Sequence, residues 1–233
     1  YIPSNNIDLD TPNKDNNKLT LIGGVMKFEG NTLDAKAFPT NGGYESLVAQ
    51  VFTGEEKYHS YKNIPIQKHH QSWLQMSYTR IDYHNLTKKF TVGTYLKGYY
   101  STRGLSETYQ ASMMQAGAFT PTMNSIFNYD PAYRAYQYGA IGLIPVYKIN
   151  DILQLRCEAY SFIPYKTIKE DKNGNSYYAK HFSGIEYIGE LTLACKFSTL
   201  TLAAWADYYS SHKSSVNVGL TLGWFMFNER FIE

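Results

Sequence analysis

The chain has 233 residues, a formal net charge of +2 at pH 7 and a pI of about 8.3. This balance is too mild to indicate a nucleic-acid or strongly acidic partner, and no nucleic acid is expected to bind. Charged residues make up 18% and aromatic residues 16%, with 22 tyrosines, whereas about 25% of residues are charged in typical soluble domains. Tyrosine accumulates where a side chain meets both an apolar medium and water, as in the aromatic girdles of membrane barrels.

No stretch of the sequence approaches the ~18 consecutive apolar residues of a transmembrane helix. A chain that crosses a membrane without helices must form a closed barrel, because closure satisfies every backbone group in lipid. The start at Tyr1 rather than Met indicates a mature or truncated product. Residues 1–17 are rich in Asn, Asp and Pro and are predicted to be loop.

Nine runs of alternating or β-rich character follow, each about a dozen residues long, near the length of a tilted transmembrane strand. The connections after the first, third, fifth and seventh runs are short, and the others tend to be long, with 102–135 the longest. Short turns at one end and long loops at the other are typical of outer-membrane barrels. The nine predicted strands are 18–29, 43–53, 70–83, 89–101, 136–148, 152–164, 184–197, 200–209 and 215–227.

The runs have one apolar and one polar face. In the last run, Val216, Leu220 and Met226 share the apolar face. Cys157 and Cys195 are expected to sit singly on strands as small apolar residues. Polar faces carry charges that are expected to point into a lumen, where neighbouring strands bring opposite charges together in a structural network rather than a transport or gating device. These lumen charges are Arg156, Glu158, Glu186, Glu190 and Lys196.

Alternation also fits a soluble β-sandwich or a lipocalin-like barrel, in which the apolar faces point inward. Two features favour an antiparallel transmembrane β-barrel. Charges recur along the polar faces of long strands, and no second sheet or helical layer is evident to cover the apolar faces. Single-chain bacterial barrels have an even number of strands. The count of nine predicted strands therefore indicates either a further strand within 105–120 or a chain that begins partway round a larger barrel.

The predicted turn between the first two strands contains Asp34, followed by Phe-Pro-Thr-Asn-Gly at 38–42. It resembles the Phe-Pro-Thr turn of the bacterial surface antigen superfamily, which includes outer-membrane assembly factors and two-partner secretion transporters. Pro39 fixes φ, the glycine permits chain reversal and Asp34 can cap loop amides. The resemblance implies a periplasmic turn built on Asp34, Phe38, Pro39, Thr40 and Gly42.

A second motif ends the 102–135 connection, which leads into Tyr133, Arg134, Ala135 and Tyr136. In the same superfamily the longest extracellular loop folds into the lumen and presents an arginine in a V/I-R-G-F/Y motif, and Ala135 stands here in place of its glycine. The resemblance implies that 102–135 is inserted in the lumen, where Arg134 can dock among the carboxylates.

From end to end the chain resembles the C-terminal barrel of bacterial patatin-like phospholipases. These proteins carry a lipase domain, a small periplasmic module and a 16-stranded barrel. The resemblance implies that residues 1–233 are a fragment of one barrel domain, holding the final nine of its strands. The segments on which this resemblance rests are Tyr1–Asp8, Asn31–Asp34, Gln115–Pro121, Val146–Asp151 and Leu222–Asn228.

A patatin-type hydrolase needs a serine in a G-x-S-x-G elbow, a catalytic aspartate and a glycine-rich oxyanion loop. The sequence contains no G-x-S-x-G, so this chain is not expected to be an enzyme, and neither a catalytic residue nor a cofactor is expected in it. Residues 171–175 are predicted to form an Asn-Gly turn rather than a calcium loop. His69 and His70 are adjacent and would point to opposite faces of a strand, so no metal site is expected.

The sequence therefore predicts a barrel in the Gram-negative outer membrane that anchors, and could help translocate, an upstream lipase-like domain. Expected partners are outer-membrane lipids, the upstream lipase-like and periplasmic domains of the same polypeptide, and the outer-membrane assembly machinery. One alternative is an assembly or secretion factor of the same superfamily, which tandem periplasmic repeats upstream would indicate. The other is a soluble β-sandwich binding module, which would bury the Val216–Met226 face.

Overall fold

The computed structural model describes residues 16–59, 67–106, 108–172, 174–197, 200–211 and 216–224. In these ranges the chain forms thirteen strands and one α-helix. They are β1 (Asn16–Asn31), β2 (Gly42–His59), β3 (Gln67–Asn85), β4 (Phe90–Ser101), α1 (Tyr109–Gln115), β5 (Gly117–Ala118), β6 (Arg134–Ala135), β7 (Gln137–Lys148), β8 (Leu153–Pro164), β9 (Lys166–Glu170), β10 (Ser176–His181), β11 (Glu186–Lys196), β12 (Leu200–Tyr209) and β13 (Val216–Trp224). No helix in the described residues is long and apolar enough to cross a membrane.

Nine of the strands make one antiparallel sheet in the order β1-β2-β3-β4-β7-β8-β11-β12-β13. They are the nine strands predicted from alternation, and the prediction of an all-β fold is confirmed. The main departures are β2 and β3, which extend several residues beyond their predicted bounds on the side of their long connection. Of the predicted loop at 1–17, residues 1–15 lie outside the described residues, whereas Asn16 and Asn17 belong to β1, so that part of the prediction is wrong. The predicted strand residues 215 and 225–227 also lie outside the described residues.

The two longest connections carry the remaining elements. Residues 102–136 contain α1 and the small β5–β6 pair, and residues 165–185 contain the β9–β10 hairpin. The further strand considered within 105–120 is not formed in the sheet, because the chain turns into α1 there. Thr108 caps this helix by accepting a hydrogen bond from the Ala111 amide at 3.3 Å. The predicted turn at 171–175 joins β9 to β10, with Gly174 at a φ of 83°.

The sheet is not closed into a barrel. Among the described residues, β1 pairs only with β2 and β13 pairs only with β12. The nine strands do not close on themselves, because closure requires a register that joins the first strand to the last; the sequence predicted them as part of a larger barrel. Within the described ranges, each edge strand keeps one line of backbone donors and acceptors without a strand partner.

The two faces of the sheet differ in what covers them. Residues 32–41 and 102–136 fold onto one side, which we call the covered face, and we call the opposite side the bare face. On the bare face Leu220 is 85% exposed and Val218 is 76% exposed. On the covered face charged residues such as Arg156 and Glu190 are buried. Apolar side chains are thus exposed on one face, whereas the other face buries charged residues, a departure from soluble sheets whose exposed face is usually polar. Cys157 and Cys195 are unpaired and lie on the bare face of β8 and β11, as predicted.

An aromatic core fills the middle of the covered face. Phe119, which is only 2% exposed, comes from the 102–136 connection and meets rings from three strands. Its ring centroid lies 5.5 Å from that of Phe162 and between 6.1 and 6.3 Å from those of Tyr95, Tyr138 and Tyr160. Ring pairs at these separations add to the hydrophobic gain of burial. The connection is therefore anchored to the sheet by its own aromatic side chain.

The sheet is strongly curled, as the contacts of the 32–41 turn show. Phe38 packs in one cluster with Ala194 of β11 and Ala203 of β12. With strands about 4.8 Å apart, β2 and β11 would be separated by roughly 24 Å along a flat sheet. A short turn cannot bridge that distance and still bury its side chains, so the sheet curves with the covered face on its inner side.

We expect Phe119→Ala to lower the free energy of unfolding by about 3–5 kcal/mol, because it removes the anchor of the connection and leaves a cavity among four rings. Phe127→Ala in the same connection is the matched control. Phe127 is 90% exposed, and its removal should change the free energy by less than about 0.5 kcal/mol. Urea titration followed by intrinsic fluorescence measures both. Equal losses in the two variants would contradict the assigned anchor.

Candidate functional site on the covered face

A buried charged cluster forms where the 32–41 turn meets β8. The Arg156 guanidinium uses all three of its nitrogens. Nε donates to Glu158 Oε1 at 3.1 Å, Nη1 to the Pro39 carbonyl at 2.7 Å and Nη2 to the Tyr83 hydroxyl at 2.9 Å. The other oxygen of Glu158 accepts from the Tyr160 hydroxyl at 2.5 Å. The pair is thus held within a network of directed bonds, which is what a buried ion pair needs to offset its loss of hydration.

Asp34 closes the turn from inside. Its Oδ1 accepts the backbone amides of Thr40 at 2.8 Å and Asn41 at 3.1 Å, and its Oδ2 accepts the Thr40 hydroxyl at 2.7 Å. Partial burial raises the pKa of the Asp34 carboxyl, but these hydrogen bonds outweigh it and the pKa lies below its ordinary value. Gly42 has a φ of 85°, and a Cβ there would lie 2.0 Å from the Thr32 carbonyl oxygen, so the position requires glycine.

The tip of the turn is clamped to the far strands. Phe38 adopts a φ of 51°, in the left-handed region. Its carbonyl accepts from Gln154 Nε2 at 3.0 Å and from Lys196 Nζ at 3.4 Å. A non-glycine residue holds this backbone conformation only where its surroundings fix it. The five predicted turn residues are therefore brought together with Arg156, Glu158 and Lys196 of the predicted lumen charges.

The remaining carboxylates form a row across the sheet. The register sets Glu190 directly opposite Glu158 on one side and Asp207 on the other, and all three are buried. Opposite charges are not paired across the ladder here, contrary to the sequence expectation, because the Arg156–Glu158 pair runs along one strand. Like charges in this position are unfavourable, and uncharged donors surround them. Asn124 donates to Glu190 at 3.1 Å and Asn217 donates to Asp207 at 2.9 Å.

Glu186 stands apart from this row, at the end of β11 that follows the 165–185 connection, and accepts from the Ser210 hydroxyl. Tyr133 reaches the same region, because its hydroxyl donates to the Tyr187 carbonyl at 2.8 Å. The predicted lumen charges are thus divided between a cluster at β8 and a separate contact near residue 210.

Arg134 forms its hydrogen bonds within the 102–136 connection. Its Nη1 donates to the carbonyls of Met113 at 3.2 Å and Ala116 at 3.2 Å, and its guanidinium lies 4.7 Å from the centre of the Tyr129 ring. A cation at the C-terminal end of α1 complements the helix dipole. Among the described residues Arg134 forms no ion pair with a carboxylate, and its Nη1 instead bonds the carbonyls at the C-terminal end of α1. Ala135 is fully buried, and the hydroxyl of the buried Tyr136 donates to the Ser112 carbonyl at 3.2 Å.

Sequence reasoning placed Gln154 on the polar face with Arg156 and Glu158 but missed two members of the Arg156 cluster, Tyr160 and Tyr83. Tyr160 lies four residues from Arg156 on the same strand, so the period of two that identified the charges could have identified it as well. Tyr83 is three strands away in the sheet, and no local signal indicates its contact.

The cluster can stabilise a single conformation of its own side chains and of the 32–41 turn. It does so because the nitrogens of Arg156 and the oxygens of Glu158 already have partners within the protein. No protein-family model, curated protein or solved structure matches the chain.

Arg156→Gln is expected to lower the free energy of unfolding by about 3–5 kcal/mol, because it leaves the buried Glu158 carboxylate without its ion-pair partner. Arg80→Gln is the matched control. Arg80 pairs with Asp82 in an exposed bridge of 2.6 Å, and such pairs contribute about 0–1 kcal/mol. Denaturant titration of the two variants should separate them clearly. A small loss for Arg156→Gln would mean that the cluster does not stabilise the turn.

The Asp34 turn should weaken in acid. Because the folded pKa of Asp34 is lowered, its contribution is complete above the unfolded value of about 3.9 and is lost as pH falls through the folded pKa. Asp34→Asn should cost about 1–2 kcal/mol at pH 7 through lost charge-assisted hydrogen bonds. The difference from the wild type should shrink below about pH 4. Urea titrations at pH 7 and pH 3 test this, with Asp151→Asn in an exposed turn as control. A difference that stays constant with pH would refute it.

Proposed function

We propose that this chain is part of an outer-membrane β-barrel in which the bare face from β4 to β13 contacts lipid and the covered face lines the lumen. One observation carries the proposal. In β4, β7, β8, β11, β12 and β13, as far as they are described, the charged residues all take positions of the covered face. Hydrocarbon is the medium in which charged side chains are costly and exposed leucine side chains are stable. The charged residues are Lys97, Lys148, Arg156, Glu158, Glu186, Glu190, Lys196 and Asp207.

Aromatic residues on the bare face support the same proposal. Tyr100 and Tyr187 are exposed at strand ends that lead into or out of the two longest connections, and Tyr208 is exposed at the end of β12. Tyr147 is exposed at the opposite end, beside the short turn 149–152, and Phe28 lies near the 32–41 turn. Aliphatic side chains such as those of Leu143, Leu191 and Leu202 occupy bare-face positions of the same strands. Aromatic girdles that border an aliphatic band are typical of outer-membrane barrels.

The soluble β-sandwich alternative requires the apolar face of the last strand to be buried. Val216, Val218, Leu220 and Leu222 are all exposed, and Met226 lies outside the described residues. Soluble monomers rarely expose contiguous apolar patches larger than a few hundred Å². The exposure of this strand therefore favours the membrane protein over the soluble module.

We also propose that the barrel anchors an upstream patatin-like phospholipase domain, with a periplasmic module between them, and reaches the membrane through the outer-membrane assembly machinery. The sequence resemblance supports this assignment. The aromatic core around Phe119 favours anchoring over conduction, because it occupies the covered face where a conduit would need open space.

The reading frame upstream of the Tyr1 codon tests the proposed partner domain. A G-x-S-x-G elbow, a catalytic aspartate motif and about seven further strands, the remainder of a 16-stranded barrel, are the expected result. Tandem periplasmic repeats without that serine would instead assign the chain to the assembly or secretion factors.

Leu220→Arg should reduce insertion into phosphatidylcholine vesicles, because a charge near the bilayer midplane costs about 2–4 kcal/mol. Thr221→Arg is the adjacent control on the covered face and should be much milder, although it removes the 3.0 Å hydrogen bond from Trp205. Protease protection of the vesicle-bound chain measures the inserted fraction. Equal effects would overturn the assignment of the two faces.

A further inference from the structure

We propose that a cavity beside Arg103 binds a small phosphate ester that carries hydroxyl groups. The cavity has a volume of about 340 Å³ and lies between the ends of β2 and β3 and residues 103–106. This volume is in the range of small-molecule sites and exceeds what a bare inorganic ion needs. Its lining includes Glu56, Gln71, Trp73 and Arg103. None of these residues belongs to the Arg156 cluster, so the inference stands apart from the proposed membrane function.

The Arg103 guanidinium is fixed in place but incompletely bonded. It lies 4.1 Å from the centre of the Trp73 ring, and the far side of that indole meets Phe52 at a centroid distance of 5.2 Å. Its side chain is only 5% exposed. Nε and Nη2 are both buried, and neither has a hydrogen-bond partner among the described residues. Buried guanidinium nitrogens are rarely left in this condition, since desolvation without a bond is costly.

Among the described residues Glu56 is the carboxylate paired with Arg103, and it does not complete the site. Its Oε2 lies 4.0 Å from Arg103 Nη2, beyond hydrogen-bond distance. The same oxygen already accepts from Gln71 Nε2 at 2.8 Å. Gln71 Oε1 is buried in turn and has no donor partner in the described part of the chain. Two residues of the cavity lining therefore hold unused hydrogen-bonding atoms, two donors on Arg103 and one acceptor on Gln71.

This arrangement fits one ligand chemistry. Nε–H and Nη2–H form the planar fork that binds two oxygens of a phosphate or carboxylate group at once. Gln71 Oε1 requires a hydroxyl or amino donor. Glycerol 3-phosphate and the phosphatidylglycerol headgroup both carry a phosphate with a neighbouring hydroxyl, the first free in solution and the second in a membrane. Burial lowers the pKa of Arg103, consistent with a desolvated cation that gains from an anionic partner.

The test is calorimetric titration of the full chain in maltoside micelles with glycerol 3-phosphate, inorganic phosphate and glycerol. We expect saturable binding of glycerol 3-phosphate that exceeds that of inorganic phosphate, and none of glycerol. Arg103→Gln should weaken it at least tenfold, and Arg103→Lys should also weaken it because the fork is lost. Glu56→Gln should tighten it several-fold by removing a neighbouring negative charge. Arg80→Gln, at an exposed arginine outside the cavity, should leave it unchanged.

Binding to phosphatidylglycerol vesicles over phosphatidylcholine vesicles that depends on Arg103, without binding of the soluble ester, would identify the ligand as a lipid headgroup. Two results would overturn the proposal. One is the absence of saturable binding to every probe at millimolar concentration, with Glu56→Gln destabilising the fold as much as Arg103→Gln, which would make Arg103 a structural partner of Glu56. The other is undiminished binding in Arg103→Gln while circular dichroism reports an intact sheet.

Discussion

A guanidinium buried on a strand face must be fully bonded, and this constraint organises the inner side of the sheet. The partners of Arg156 come from three places: its own strand, β3, and the turn between β1 and β2. These pieces can meet only if the sheet curls. The clamp on the Phe38 carbonyl by Gln154 and Lys196 acts in the same direction. Charge burial and curvature are thus two aspects of one arrangement, since neither the pairing nor the turn position could persist on a flat sheet.

The curvature of the sheet in turn explains why residues 102–136 pack against its covered face. A curled sheet of nine strands encloses a concave surface, and its inward aromatic rings need apolar partners that the strands cannot supply. Phe119 and Tyr133 of the connection provide them, stacking on Phe162 and meeting Tyr209. Arg134 shapes the connection by bonding the carbonyls at the end of α1. The inner surface therefore consists of a polar cluster near the turn and an aromatic core beneath the connection.

The strands were predictable because a period of two is a local property of the sequence, and the Phe-Pro-Thr turn was predictable because its chemistry is local too. The contacts between distant segments were not. The pairing of Arg156 with Tyr83, the position of Phe119 and the helix at Tyr109–Gln115 depend on the curl of the sheet, which no short window encodes. Arg134 illustrates the difference. Its motif was recognisable, whereas its partners depend on a helix that alternation alone could not reveal.

The surroundings of the sheet must suit both the exposed apolar side chains of the bare face and the backbone groups along its edges. In the proposed lipid environment the uncharged face of β13 is satisfied. The edge backbone groups of β1 and β13, which have no strand partner in the part of the chain that the structure describes, are not, because hydrocarbon offers them no hydrogen bonds. Water would satisfy those edges but not the exposed leucine and valine side chains beside them. A strand partner at both edges meets the two demands together, whether the edges pair with each other or with further strands. The proposed lipid face therefore requires that both edges of the sheet be paired.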